Sequence, residues 1–171
     1  ALIESSETEE EREEMMGLLK TVSSSLNETM IHLNEVTNIK KNIGLVSEPL
    51  NLEKYITRVK NILADQITSN EVTILTTIPA DSIVNYNPAY LESILYNIIS
   101  NSIRYRHPSR KPIIKINFVI ENDMKVLQIS DNGIGIDLVK NADKIFGMYK
   151  TFTNNSDSKG IGLFITKNQI D

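Results

Sequence analysis

Between Met15 and Val36, seven positions (Met15, Leu19, Val22, Leu26, Thr29, Leu33 and Val36) recur at alternating steps of four and three residues. That spacing lines them up on one side of an α-helix, as the seam by which helices pack in coiled coils and four-helix bundles. A helix with one apolar seam cannot bury it alone. It needs partner helices, and a second copy of the same segment is the natural source. The Glu-rich run from Thr8 to Glu14 suits the first turn of such a helix, where acidic groups meet the positive end of the helix dipole. Lys40 and Lys41 complement the other end, and Gly44 is a stop signal.

With 171 residues, the chain has room for one ordinary domain beside that helix. Hydrophobic residues make up 40% and charged residues 23%, a globular composition. The net charge of -4 argues against nucleic-acid binding, which relies on Lys and Arg at phosphates. The absence of cysteine excludes disulfides, thiolate zinc sites and a Cys nucleophile, and fits a cytoplasmic setting. No apolar run approaches the roughly 20 residues that span a bilayer, so no membrane contact is expected of this segment, and a membrane anchor would belong to a longer parent protein. Both ends fall inside expected helices, so a longer natural protein is expected, with the second domain truncated at its C-terminus.

Ser47 to Asn51 contains Pro49 and reads as a linker, and Asn51 caps a helix through about Ile67. Val72 to Ile78 and Asp81 to Tyr86 are strand candidates. Asn87 and Pro88 are a cap and first turn for a helix to about Tyr105. Pro112 to Ile120 and Met124 to Ile129 form a hairpin about Glu121-Asn122-Asp123. The polar, glycine-bearing segment Asp131 to Lys159 is long for a connection, which marks it as functional. A last helix runs from Gly160 to Ile170.

Three motifs carry chemistry. In the helix before Tyr105, Asn97, Asn101 and Arg104 stand at i, i+4 and i+7 and share a face. A carboxamide oxygen suits Mg²⁺ and Arg suits a phosphate, although a plain surface helix shows such a polar stripe too. Asp131-Asn132-Gly133-Ile134-Gly135-Ile136-Asp137 follows a strand. Its glycines permit close approach of a ligand and its first carboxylate can accept from an exocyclic amine, while Asn-Gly is equally a tight-turn signal. Ser158-Lys159-Gly160-Ile161-Gly162-Leu163 opens the last helix, where free N–H groups attract anions, and it is also readable as a helix start that contains glycine. It lacks the spacing of a P-loop.

In this order the motifs resemble the GHKL superfamily of ATPases and kinases, and specifically the catalytic domains of sensor histidine kinases. The asparagine helix resembles the N box, Asp131 to Asp137 the first glycine box, Lys144 to Lys150 a shortened F box, and Ser158 to Leu163 the second glycine box. Residues 10–42 resemble the second helix of the dimerisation and phosphotransfer hairpin. The fold this implies is α+β: a two-layer α/β sandwich in which a mixed sheet carries three helices on one face, the Bergerat-like ATP-binding fold, plus a remnant of the N-terminal helical hairpin. The implied domains are residues 1–46 and 47–171.

By that resemblance the ligands are ATP and Mg²⁺. Asn97, Asn101 and Arg104 are the catalytic set, with Asn101 the Mg²⁺ ligand and Arg104 at the phosphates. Tyr105 lies beside the adenine and Asp131 holds its amino group. Gly133, Gly135, Lys150, Ser158, Gly160, Gly162 and Leu163 complete the nucleotide site. Ser158 and Lys159 depart from the family's usual Gly-Thr. The implied partners are a second copy through residues 10–42 and the receiver domain of a response regulator.

Relatives that hydrolyse ATP, such as gyrase-type and heat-shock chaperone ATPases, carry a Glu one turn before the metal-binding Asn. Here that place holds Asn97, which cannot act as a base, so transfer to a histidine is favoured over hydrolysis. The chain has two histidines. His32 lies on the seam helix with Glu28 and Glu35 in ion-pairing range, and His107 lies in a loop. Neither precedes an acidic residue, so the acceptor is expected upstream of Ala1. The rivals are a GHKL-type hydrolase and a degenerate, non-catalytic dimerisation or nucleotide-binding module.

Overall fold

The computed structural model describes residues 8, 9, 11–19, 22, 46–148, 150 and 160–171. The chain divides into two compact units, residues 1–43 and 44–171.

In the first unit, residues 11–19 form helix α1. Its start is a reciprocal capping box: the Glu11 N–H donates to Thr8 Oγ1 (3.2 Å) and the Thr8 N–H to Glu11 Oε2 (3.3 Å). The Glu-rich run therefore caps a helix start. Leu19 and Val22, two of the seam positions, are exposed among the described residues. Leu26, Thr29, Leu33 and Val36, and with them His32, lie outside the described residues.

The second unit opens with β1 (Glu48–Asn51), where a linker was expected. It pairs antiparallel with β3 (Ile83–Tyr86) as a two-stranded ribbon, Glu48 opposite Tyr86 and Pro49 opposite Asn85. Such a ribbon leaves alternate N–H groups of each strand unpaired, so it tolerates Pro49, whose missing donor made the segment read as a linker. Asn51 then caps α2 (Leu52–Ile62), accepting the Lys54 N–H at 2.9 Å. The helix expected to reach Ile67 bends at Leu63 (φ −94°, ψ 10°) and resumes as α3 (Ala64–Ser69). The Leu63 N–H still donates to Val59 and the Ile67 N–H to Leu63, so the backbone bonding survives the bend. Leu63 itself is buried in the core.

The main sheet has the order β2-β4-β5. β2 (Thr73–Thr77) runs parallel to β4 (Ile113–Glu121), and β4 runs antiparallel to β5 (Met124–Asp131). Asn122 (φ 50°) and Asp123 (φ 62°) make the two-residue hairpin turn, residue types that tolerate positive φ. Between β2 and β4 the chain crosses through α4 (Pro88–Arg104), capped by Asn87 with Pro88 in its first turn. The expected architecture holds: a mixed sheet with helices packed against it. Ile114 and Ile116, alternating along β4, meet Leu52, Ile56 and Val59 of α2 and Leu91, Leu95, Ile99 and Ile103 of α4 in one core. α4 is in contact with α2 and also with the last helix, α6 (Gly162–Ile170).

Candidate functional site

The residues of α4 divide by period. Leu91, Leu95, Ile99 and Ile103, four apart, face the core, which turns Asn97, Asn101 and Arg104 toward a different side. Asn97 is nonetheless only 6% exposed. The cover is α6: a Cβ placed on Gly162 would stand 3.4 Å from Asn97 Oδ1 and 3.7 Å from Asn101 Nδ2. The start of the last helix thus lies within contact distance of the asparagine face. Asn97 Nδ2 reaches Ser93 Oγ at 3.5 Å, and Gln169 of α6 donates to the same oxygen at 3.0 Å. Asn101 and Arg104 are half-buried.

Asp131 ends β5, opposite Ile114. Its Oδ1 accepts the Gly133 N–H at 2.8 Å, and its Oδ2 accepts the Ser102 hydroxyl at 3.1 Å. The carboxylate is thereby fixed between the glycine turn and α4. The turn in turn rests on the end of that helix. Tyr105 is the C-cap of α4, its carbonyl accepts the Ile134 N–H at 3.0 Å, and a Cβ on Gly133 would come within 2.5 Å of that carbonyl oxygen. No residue but glycine fits there. Gly135 has φ +72° with open space about it, so its need for glycine is conformational.

Three side chains that sequence reasoning did not single out complete this corner. Ser102, buried, orients Asp131. Asn132 is a strut whose side chain accepts from Ile113 N and donates to Lys111 O, both at 2.9 Å. Arg110 Nη2 donates to Gly133 O at 2.9 Å. Ser102 and Asn132 lie inside the quoted motifs, but only the fold reveals their partners.

Beyond the turn, Asp137 caps the short α5 (Leu138–Asn141) through the Val139 and Lys140 N–H groups. The segment after it returns to α6 in two ways. The Phe146 ring lies 5.5 Å from Lys167 Nζ, a cation–π distance. A Cβ on Gly160 (φ +64°) would fall 2.5–2.6 Å from the Lys150 backbone. The chain therefore leaves at Lys150 and re-enters at Gly160 side by side. Ser158 and Lys159 lie outside the described residues. Leu163 is half-buried in the first turn of α6. The N-cap of α6 is Ile161, and no described side chain caps the helix, so its first N–H groups, which have no intrahelical acceptor, suit an anion.

A divalent ion here would rest on few protein ligands. No group of three His, Cys, Asp or Glu among the described residues could hold one. Asn101 offers a single carboxamide oxygen, which fits a hard ion that keeps its waters and takes most of its remaining oxygens from a substrate's phosphates. No described helix is long and apolar enough to cross a membrane.

Residues 86–171 match the family described as histidine kinase-, DNA gyrase B-, and HSP90-like ATPase. The chain is 31% identical over 81 residues, 47% of its length, to the methanogenesis regulatory histidine kinase FilI of Methanothrix harundinacea, of which it covers 9%. It is 24% identical over 169 residues, 96% of its length, to the sensor protein kinase WalK of Staphylococcus haemolyticus, of which it covers 26%. The chain thus spans about a tenth to a quarter of these relatives. Among solved structures, the Acinetobacter baumannii histidine kinase AdeS superposes over 91% of this chain and 71% of its own, with a TM-score of 0.71 at 20% identity. The catalytic domain of histidine kinase ThkA superposes over 72% of this chain and 79% of its own, with a TM-score of 0.60 at 22% identity. At these identities the likeness speaks for the fold.

Proposed function

The chain belongs to the family of histidine kinase-, DNA gyrase B-, and HSP90-like ATPases, and we propose that it is the ATP-binding catalytic region of a two-component sensor histidine kinase, which transfers the γ-phosphoryl group of ATP to a histidine outside this sequence. The observation that carries this reading is the convergence of the three motifs. Gly162 lies on Asn97 and Asn101, and Gly133 lies on the Tyr105 carbonyl, so one corner of α4 meets both glycine boxes. In this reading ATP lies between α4, the glycine turn and the start of α6. Asp131, held by Ser102 and Gly133, accepts from the adenine amine, with Tyr105 and Gly135 beside the base. Arg104, Lys150 and the N–H groups at Gly160, Gly162 and Leu163 face the phosphates, and Ser158 would join them.

Asn101 would hold Mg²⁺, which supplies charge neutralisation at the β- and γ-phosphates. Asn97 decides between transfer and hydrolysis. Its carboxamide cannot take a proton from water, and α6 covers it. The nucleophile is therefore a side chain brought from elsewhere. Residues 10–42 would pair with a second copy, residues 1–46 and 47–171 would work as separate domains, and the receiver domain of a response regulator would take the phosphoryl group onward. The reaction would run in the cytoplasm, where its ATP is.

Calorimetry with Mg·ATP and an assay for free phosphate test the reading. The expected result is saturable binding without phosphate release and without self-labelling. His107 sits in the loop after α4, its Nδ1 accepting the Ser109 N–H, and is not among the residues of the nucleotide corner. Sustained phosphate release would make the chain a hydrolase. Absence of binding would make it a non-catalytic module.

A further inference from the structure

Beside the end of α3, the Ser69–Glu71 turn faces the loop that joins α4 to β4 across an open basin of about 680 Å³. Arg106, His107, Arg110 and Lys111 line one side, and Glu71 is the single acidic residue in the lining. No residue of the three nucleotide motifs lines it.

Three features separate this basin from an ordinary solvated surface. Arg106, Arg110 and Lys111 form no ion pair with any described residue. The guanidinium bonds go to neutral carbonyls, Arg106 Nη1 to Ile103 O (3.3 Å) and Arg110 Nη2 to Gly133 O (2.9 Å). Each guanidinium has five N–H donors, so most are left for a ligand. The loop that carries these groups is also tied down: Ser109 N to His107 Nδ1, Arg110 N to His107 O, Asn132 Nδ2 to Lys111 O and Thr73 N to Pro112 O. The backbone that carries its cations is therefore set before anything binds, which lowers the ordering cost of binding. Finally, the cluster stands on a chain of net charge -4. An anion in the basin would meet three cations and one acidic side chain, Glu71.

The ligand chemistry follows. Planar guanidinium forks with a Lys beside them suit phosphate oxygens. The volume lies within the roughly 300–1,000 Å³ typical of small-molecule pockets and exceeds what one phosphate fills. We propose that this basin is a second anion site, which takes a small ligand bearing a diphosphate group. Arg110 links the basin to the glycine turn through Gly133 O, so the test rests on Arg106 and Lys111.

The probe is inorganic pyrophosphate, titrated without magnesium into the whole chain. Wild-type protein should bind it saturably, with affinity that falls steeply as salt rises. The double variant Arg106→Gln/Lys111→Gln should bind at least tenfold more weakly, while Arg104→Gln, at the proposed phosphate end of the nucleotide corner, stays within twofold of wild type. Amide chemical-shift changes in the wild-type protein should centre on residues 69–71 and 106–112, a readout that does not depend on any variant folding. No saturable binding would overturn the proposal. So would wild-type affinity in the double variant, an equal loss in Arg104→Gln, or shifts confined to residues 131–135 and 160–163. Failure of ATP binding in the separate Mg·ATP titration would leave each of these outcomes unchanged, so the two readings fail separately.

Discussion

Replacing Ser102 by Ala tests how Asp131, the carboxylate proposed to read adenine, is held. The Ser102 hydroxyl lies 3.1 Å from Asp131 Oδ2 and 3.0 Å from the Ile98 carbonyl, and its one proton can serve only one of them fully. Ile98 keeps its ordinary helix bond in the variant, so the consequence falls on Asp131. A hydrogen bond to a charged group contributes about 1.5–3 kcal/mol. Asp131 is exposed on its other side, so water recovers part of the loss, and the lower end, about 1–1.5 kcal/mol, is expected. That is roughly a five- to tenfold weaker ATP affinity. Asp131→Asn should cost roughly 1–3 kcal/mol by itself. Because Ser102 acts through Asp131, the double variant should be little worse than Asp131→Asn alone. Calorimetry with Mg·ATP on all four proteins closes the cycle, with thermal melts to show that each is folded. Additive losses would refute the linkage, and equal losses for ATP and GTP would refute Asp131 as the adenine reader.

Asn101→Ala should abolish Mg²⁺-dependent nucleotide binding with the fold intact; unchanged affinity in calorimetry would remove the metal assignment. Gly160→Ala places a Cβ 2.5 Å from the Lys150 carbonyl oxygen at φ +64°, so backbone strain of about 1–2 kcal/mol adds to a clash with main chain. ATP affinity and melting temperature should both fall, and wild-type values for either would show that the close approach of Gly160 to Lys150 carries no weight. Burial and the nearby Tyr90 raise the Tyr86 pKa above its ordinary 10.0, and its hydroxyl donates to the Gln169 carbonyl. The unfolded chain then releases this proton at lower pH than the folded one, so the contribution is complete below pH 10.0 and is lost as pH rises through the folded value. Denaturant melts should show wild type losing stability above pH 10 faster than Tyr86→Phe; parallel curves would refute this.

The elements with local signals were legible. Asn51 and Asn87 cap the helices that follow them, and Asn122 and Asp123 turn the hairpin, because caps and tight turns are chemistry within four residues. β1 was hidden because Pro49 argues against a strand and its partner β3 lies more than 30 residues away. The bend at Leu63 was hidden because its apolar period continues through it, and the core decides where the helix gives way. The asparagine face and both glycine boxes could be read as types and spacings. What could not be read was how they are fastened: Ser102 to Asp131 across 29 residues, and Arg110 to Gly133 across 23. A serine in a helix and an arginine in a loop carry no signal of a distant acceptor.

The glycines explain how three motifs, each weak alone, come into contact in the candidate site. Gly133, Gly160 and Gly162 each stand where another part of the site presses close: the Tyr105 carbonyl, the Lys150 backbone and the Asn97 side chain. At Gly133 and Gly160 a Cβ would collide with main chain, which cannot rotate away as a side chain can. At Gly162 a Cβ would make only ordinary van der Waals contact with the asparagine side chains. A side chain at Gly133 or Gly160 would move an element that a second motif depends on. Each box therefore has little meaning alone and a definite one in the company of the others, and the chain order that brings them together is as much a part of the site as the side chains that face the ligand.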